Sequence, residues 1–145
     1  MKKNKSQMLV EVISVLFVLL FIYAAVSKVR SPEIFIGQLG KSPVIAPFAK
    51  YMAFAVPAIE VGIAVLLMTR RRQLLGLYMA FTMMVIFTVY IIVILNFSPY
   101  IPCSCGGILE KMNWRQHLVF NCVFVLLGGI GVVNYQSRYQ EIIAR

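Results

Sequence analysis

Charge is what this sequence has least of. Only 13% of its 145 residues are charged, while 61% are hydrophobic. Soluble domains carry about 25% charged and about 45–50% apolar residues, so an ordinary soluble globular domain is excluded. The acidic side is the scarcer: five Asp plus Glu stand against fourteen Lys plus Arg, a net charge of +9. In a soluble chain that excess would point to nucleic acid. Here the basic residues lie between and beside long apolar runs, as topology signals do, and nucleic-acid binding is set aside. Internal repeats, low-complexity tracts and a soluble domain are also missing. Cysteine is limited to three residues, with one C-x-C pair and no C-x-x-C.

What the sequence does have is four apolar segments, near residues 8–29, 51–69, 74–95 and 115–134. A span needs about 20 apolar residues to cross ~30 Å of hydrocarbon at ~1.5 Å per residue. Each segment meets that length. Lys2, Lys3 and Lys5 before the first give it the look of a secretory signal. Its apolar run exceeds the usual ~7–15 residues and three more spans follow, so it reads as a retained helix. The expected fold is an all-α membrane protein. Residues 1–145 form one four-transmembrane-helix bundle, with a short extracytoplasmic helix between spans 1 and 2.

Orientation follows from the placement of Lys and Arg. Lys2, Lys3, Lys5, Arg70, Arg71, Arg72, Arg138 and Arg145 share one side, eight in all. The other side holds six: Lys28, Arg30, Lys41, Lys50, Lys111 and Arg115. The arginine triplet occupies a very short turn, where the bias counts most. That side is placed in the cytoplasm with both termini, as expected for a bacterial inner membrane protein. Residues 30–50 and 96–114 then face a periplasm. In the first of these loops Ser31 suits a helix N-cap, Pro32 its first turn and Glu33 its positive end. Gly40 is a stop, and Pro43 and Pro47 prevent continuation.

The second loop carries Pro102-Cys103-Ser104-Cys105-Gly106-Gly107. Two residues of chain put the two α-carbons roughly 5.5–7 Å apart, overlapping the ~4.4–6.8 Å that a disulfide allows. The ring that closes is tight, and strained disulfides are the more oxidising ones. Lys111, Arg115 and a nearby helix start favour the thiolate. The bland reading is a structural disulfide or two idle thiols. A third is copper(I) held by thiolates and thioethers, although most of the methionines lie mid-span and fill helix contacts; no metal ligand is assigned. Cys122, inside the fourth span, is expected to be buried as a small hydrophobe, with a resolving role for the redox pair as the alternative.

Polar residues inside the spans supply the other candidates. Glu60 lies roughly 13 Å into its span by helix rise. A carboxylate there costs about 2.5–3.5 kcal/mol, so it is protonated, paired or turned inward. Trp114, His117 and Asn121 share a face of the fourth span, and Tyr23 and Thr88 fall at similar depth. This set is expected to supply the partners of Glu60 and to form a pocket beneath the cysteine loop. Such a pocket suits a quinone head group taking electrons from a thiolate. Equally, Trp114 serves as an interfacial anchor and His117 as an interfacial polar residue. Tyr23, Thr88 and Asn121 alternatively act as helix glue.

The order of features resembles the MauE/DoxX group of small membrane proteins, most of all its methylamine-utilisation MauE type. The resemblance is carried by Tyr23-Ala24-Ala25-Val26-Ser27-Lys28, Ser31-Pro32-Glu33 and Pro57-Ala58-Ile59-Glu60. Pro102 to Glu110 and Trp114-Arg115-Gln116-His117 complete it. It covers nearly the whole chain, and the C-x-C-G-G loop is its most specific part. It implies a four-helix, redox-associated inner-membrane protein that supports maturation of exported, disulfide-containing proteins. The architecture is also similar to DsbB and vitamin K epoxide reductase, which pass electrons from thiols to quinones. Unlike them, this chain has one C-x-C pair and no second shuttle pair.

The expected function is thiol–disulfide exchange through Cys103 and Cys105, with Glu60 and His117 moving protons. Tyr23, Trp114, Asn121 and Thr88 are the candidate quinone contacts. The partner is a thioredoxin-like protein or an exported cysteine-containing client. Two alternatives stand beside this reading: a non-catalytic accessory or assembly subunit with a structural disulfide, and a copper-handling membrane protein.

Overall fold

The computed structural model describes residues 5–40, 42–43, 45–97 and 114–143, and every regular element among them is helical. Helix α1 spans Lys5–Arg30, a short α2 spans Pro32–Gly40, and α3 spans Ala49–Met68 after a 3-10 turn at Ala46–Phe48. Helices α4 (Gln73–Phe97) and α5 (Trp114–Ile143) complete the chain. Four of these helices are long and apolar enough to cross a membrane. The four-helix architecture and the short helix after the first span are therefore as the sequence implies. Helix α2 starts at Pro32 and ends at Gly40, at the residues whose chemistry marks a helix start and stop.

The four long helices form a ring in the order α1, α3, α4, α5. Helix α1 packs along α3 and α5, α4 packs along α5 and α3, and α1 and α4 barely meet across the middle. Helix α2 lies mainly against α3. The α1 core face repeats every three or four residues: Val10, Ile13, Ser14, Phe17, Phe21, Ala25 and Lys28. On α3 the same spacing gives Ala49, Ala53, Val56, Glu60, Ile63 and Leu67. Phe17 stacks on Phe21 at 5.9 Å between ring centroids and meets Phe124 of α5 edge-on at 5.4 Å. The outside of the ring is apolar too, with Leu19, Phe54 and Leu126 among many exposed large side chains. In water such a surface would aggregate, whereas in a bilayer it is the proper exterior.

Polar side chains tie helices together away from the centre. Gln73 Nε2 at the start of α4 donates to Ser14 Oγ of α1 at 3.0 Å. Gln136 of α5 donates to the Tyr78 hydroxyl of α4. The turn between α3 and α4 is closed by Arg72 N donating to Thr69 O at 2.9 Å. Just beyond it, Gly76 lets the two helices come together. A Cβ there would stand 2.9 Å from the Leu67 amide nitrogen and 3.1 Å from the Leu66 carbonyl carbon.

Backbone cannot move aside as a side-chain tip can, so Gly76→Ala should destabilise the bundle despite alanine's better helix propensity. Overpacking of this kind costs about 1–3 kcal/mol. Gly37→Ala, where a Cβ meets nothing within 4 Å, should be tolerated. Unfolding midpoints in detergent check this: Gly76→Ala should melt well below the parent and Gly37→Ala beside it.

Candidate functional site

Glu60 sits at the middle of α3 on its core face, with none of its surface exposed. A lone carboxylate there would be costly, since hydrocarbon offers no solvation. Its partner is Lys28, near the end of α1 and only 8% exposed. Lys28 Nζ donates to Glu60 Oε1 at 2.7 Å, a buried ion pair joining the first two spans. The same ammonium lies 5.6 Å from the Phe35 ring centroid of α2 and 5.8 Å from that of Phe87 on α4. Attraction between a cation and a ring face operates within about 6 Å. Lys28 therefore joins α1, α2, α3 and α4 at one point.

This finding corrects two expectations. Glu60 takes its ion-pair partner from outside the set Tyr23, Thr88, His117 and Asn121. Lys28, counted among the basic residues of the outer face, is instead a core residue. One signal for this was present in the sequence. Lys28 falls at helical spacing from Phe17, Phe21 and Ala25, so it shares their face.

The ion pair opens onto a cavity of about 170 Å³. Its polar lining is Lys28, Glu60, His117, Asn121 and Tyr90, and its apolar lining includes Phe35 and Leu39 of α2, Phe87 of α4 and Phe120 of α5. Two polar atoms here are buried without a hydrogen-bond partner among the described residues: Glu60 Oε2 and Asn121 Nδ2. Asn121 is 3% exposed. Pro57, one turn before Glu60, can donate no bond to the Ala53 carbonyl, so α3 is also locally less tied.

The sequence-derived candidates divide as follows. Glu60, His117 and Asn121 come together around the cavity. Tyr23 does not join them: it is an exposed residue of α1. Thr88 is not in the lining either, and its hydroxyl donates to the Met84 carbonyl of its own helix at 2.7 Å. Trp114 is the first residue of α5. Cys103 and Cys105 lie outside the described residues. Cys122 is exposed on the outer face of α5, not buried as expected. Lipid and core are equally apolar, so a cysteine in a span carries no mark of which it faces. Residues that sequence reasoning missed are Lys28, Phe35, Phe87 and Tyr90. Among the described residues, no group of three His, Cys, Asp or Glu is arranged to hold a metal ion.

A family model described as "Methylamine utilisation protein MauE" matches residues 6–134. Searches of the curated proteins and of the solved structures return no match.

The ion pair sets a clear mutational pattern. Removing one member leaves a buried charge alone, which costs about 3–5 kcal/mol. Lys28→Met should therefore lower the melting point in detergent strongly. The double variant Lys28→Met/Glu60→Leu removes both charges and should recover most of that loss. A double variant no more stable than Lys28→Met would show that the pair is not what holds these helices.

Proposed function

We propose a function from the premise that the chain belongs to the methylamine utilisation protein MauE family. That membership makes it a multi-pass membrane protein of redox and methylamine-utilisation type. Within that type, it exchanges thiols and disulfides with an extracytoplasmic partner through Cys103 and Cys105. One thiolate attacks the partner's disulfide and forms a mixed disulfide. The second cysteine then displaces the partner as a dithiol and closes the C-x-C disulfide. Run in reverse, the same steps oxidise the partner. In that partner-oxidising direction a quinone closes the cycle: the C-x-C dithiol gives it two electrons and two protons, leaving a disulfide and a hydroquinone. Partners of this chemistry are a periplasmic thioredoxin-like protein or an exported cysteine-containing client.

The observation that supports this reading is where the cavity beside the ion pair lies in the chain. Residues 98–113, which include the cysteines, run between Phe97 of α4 and Trp114 of α5. The cavity lining includes Tyr90, two turns before Phe97, and His117, one turn after Trp114. The helix ends that hold the cysteine segment thus belong to the cavity end of the bundle. A redox pair and a cavity that carries a few polar groups at the same end are what thiol-to-membrane electron transfer requires.

Cys103→Ser or Cys105→Ser should abolish exchange without lowering the unfolding midpoint. One of the two should accumulate a mixed disulfide, visible on a non-reducing gel. Full exchange by the double serine variant would leave the accessory-subunit reading in its place. The proposed orientation has its own test: single engineered cysteines, in a background lacking the native three, are labelled in intact cells by a membrane-impermeant reagent. Position 98 should label and position 71 should not; the opposite result would put the C-x-C pair in a reducing compartment and remove the case for a disulfide.

A further inference from the structure

We propose that the cavity beside the Lys28–Glu60 pair binds a single hydroxylated aromatic ring, a phenol or hydroquinone head, with its hydroxyl held between Glu60 Oε2 and Asn121 Nδ2. The inference deepens the redox reading by naming the site and form of the membrane-side molecule. It needs no contribution from the cysteines.

Size comes first. The cavity holds about 170 Å³, and an apolar cavity of about 150 Å³ takes up benzene. One six-membered ring with small substituents fills such a space. Water fills it poorly: at ~30 Å³ each, between about five and six molecules would fit, and each needs two to four polar partners. The walls offer mostly side chains such as Phe35, Phe87 and Phe120, which offer ring faces and edges.

Charge comes next. Lys28 and Glu60 already neutralise each other at 2.7 Å. A charged ligand would add an unpaired charge to a site shielded from water, so the head must be neutral.

Hydrogen bonding fixes the chemical class. Glu60 is fully buried and its Oε2 lacks a donor among the described residues; Asn121 is nearly so, and its Nδ2 lacks an acceptor. A hydroxyl supplies both with one atom, donating to the carboxylate and accepting from the amide. A quinone carbonyl only accepts and leaves Oε2 unmet. The site accordingly prefers the hydroxyl form of a ring over its carbonyl form.

The test uses the purified full-length protein in lipid nanodiscs, titrated calorimetrically with 2,3,5-trimethylphenol, its methyl ether and a prenylated hydroquinone, with empty nanodiscs subtracted. The phenol should bind at least tenfold tighter than the ether, which cannot donate. Asn121→Leu should weaken phenol binding at least tenfold without lowering the unfolding midpoint, because it removes a buried donor that has no acceptor. The Cys103→Ser/Cys105→Ser variant should bind as the parent does, so loss of exchange and loss of binding are separable. Tighter binding of the prenylated hydroquinone identifies a membrane lipid as the source of the ring; tighter binding of trimethylphenol identifies a free phenolic. Equal affinity for phenol and ether, unchanged phenol binding in Asn121→Leu, loss of binding in the cysteine variant, or no binding of any probe would overturn the assignment.

Discussion

The Lys28–Glu60 ion pair is the constraint to which the rest of the site answers. Moving either ion alone into a dry interior carries a penalty of several kcal/mol. Together, at 2.7 Å, they satisfy most of each other's need. That requires the end of α1 and the middle of α3 to stay close, which fixes the offset between the first two spans. It also ties in α2, whose Phe35 ring stands over the Lys28 ammonium. A nine-residue helix is too short to be stable by itself in water, so α2 depends on such tertiary contacts. The ion pair thereby positions the cover of the cavity as well as its floor.

Packing alone does not explain why the pair is retained. A well-packed apolar replacement of similar volume is often as stable as a buried ion pair, or more so. Here the pair is also incompletely served: Oε2 of Glu60 has no partner among the described residues, and the space beside it is unfilled. Cavities and unmet polar atoms each reduce stability. Elsewhere the same bundle packs closely, as at Gly76 and along Phe17, Phe21 and Phe124. A cavity and unmet buried polar atoms at the same place are the pattern expected of a binding site.

Much of the fold was legible in the sequence because the bilayer imposes a length. Runs of about 20 apolar residues gave the four long helices, with ends that differ by a few residues, and Pro32 and Gly40 gave α2. Helix α5 is the largest departure. It continues to Ile143, well past residue 134, through polar residues that a hydropathy reading stops at. The site was only half legible. Glu60, His117 and Asn121 stood out because polar side chains in apolar runs are rare. Their rotational setting did not stand out. A transmembrane helix is apolar on all sides, so periodicity cannot separate its core face from its lipid face. For that reason Tyr23 and Cys122 were placed inward when both are exposed. Lys28 was hidden differently: at the edge of a span, a lysine that marks topology and one that pairs with a buried acid look alike.

The location of the cavity gives the arrangement its functional sense. In the proposed exchange, a thiol pair can hand electrons to a membrane molecule only if that molecule's head comes to the same end of the bundle. Helices α4 and α5 meet this condition by connectivity, since both line the cavity and both hold an end of the segment that contains Cys103 and Cys105. In the proposed exchange two protons move with the two electrons, and the groups facing the cavity include a carboxylate and an imidazole, Glu60 and His117. Lys28 sets a limit on that use. While it donates to Oε1, only Oε2 is left to take a hydrogen bond from a ligand. One ammonium group thus connects the carboxylate at the cavity to the Phe35 ring of α2.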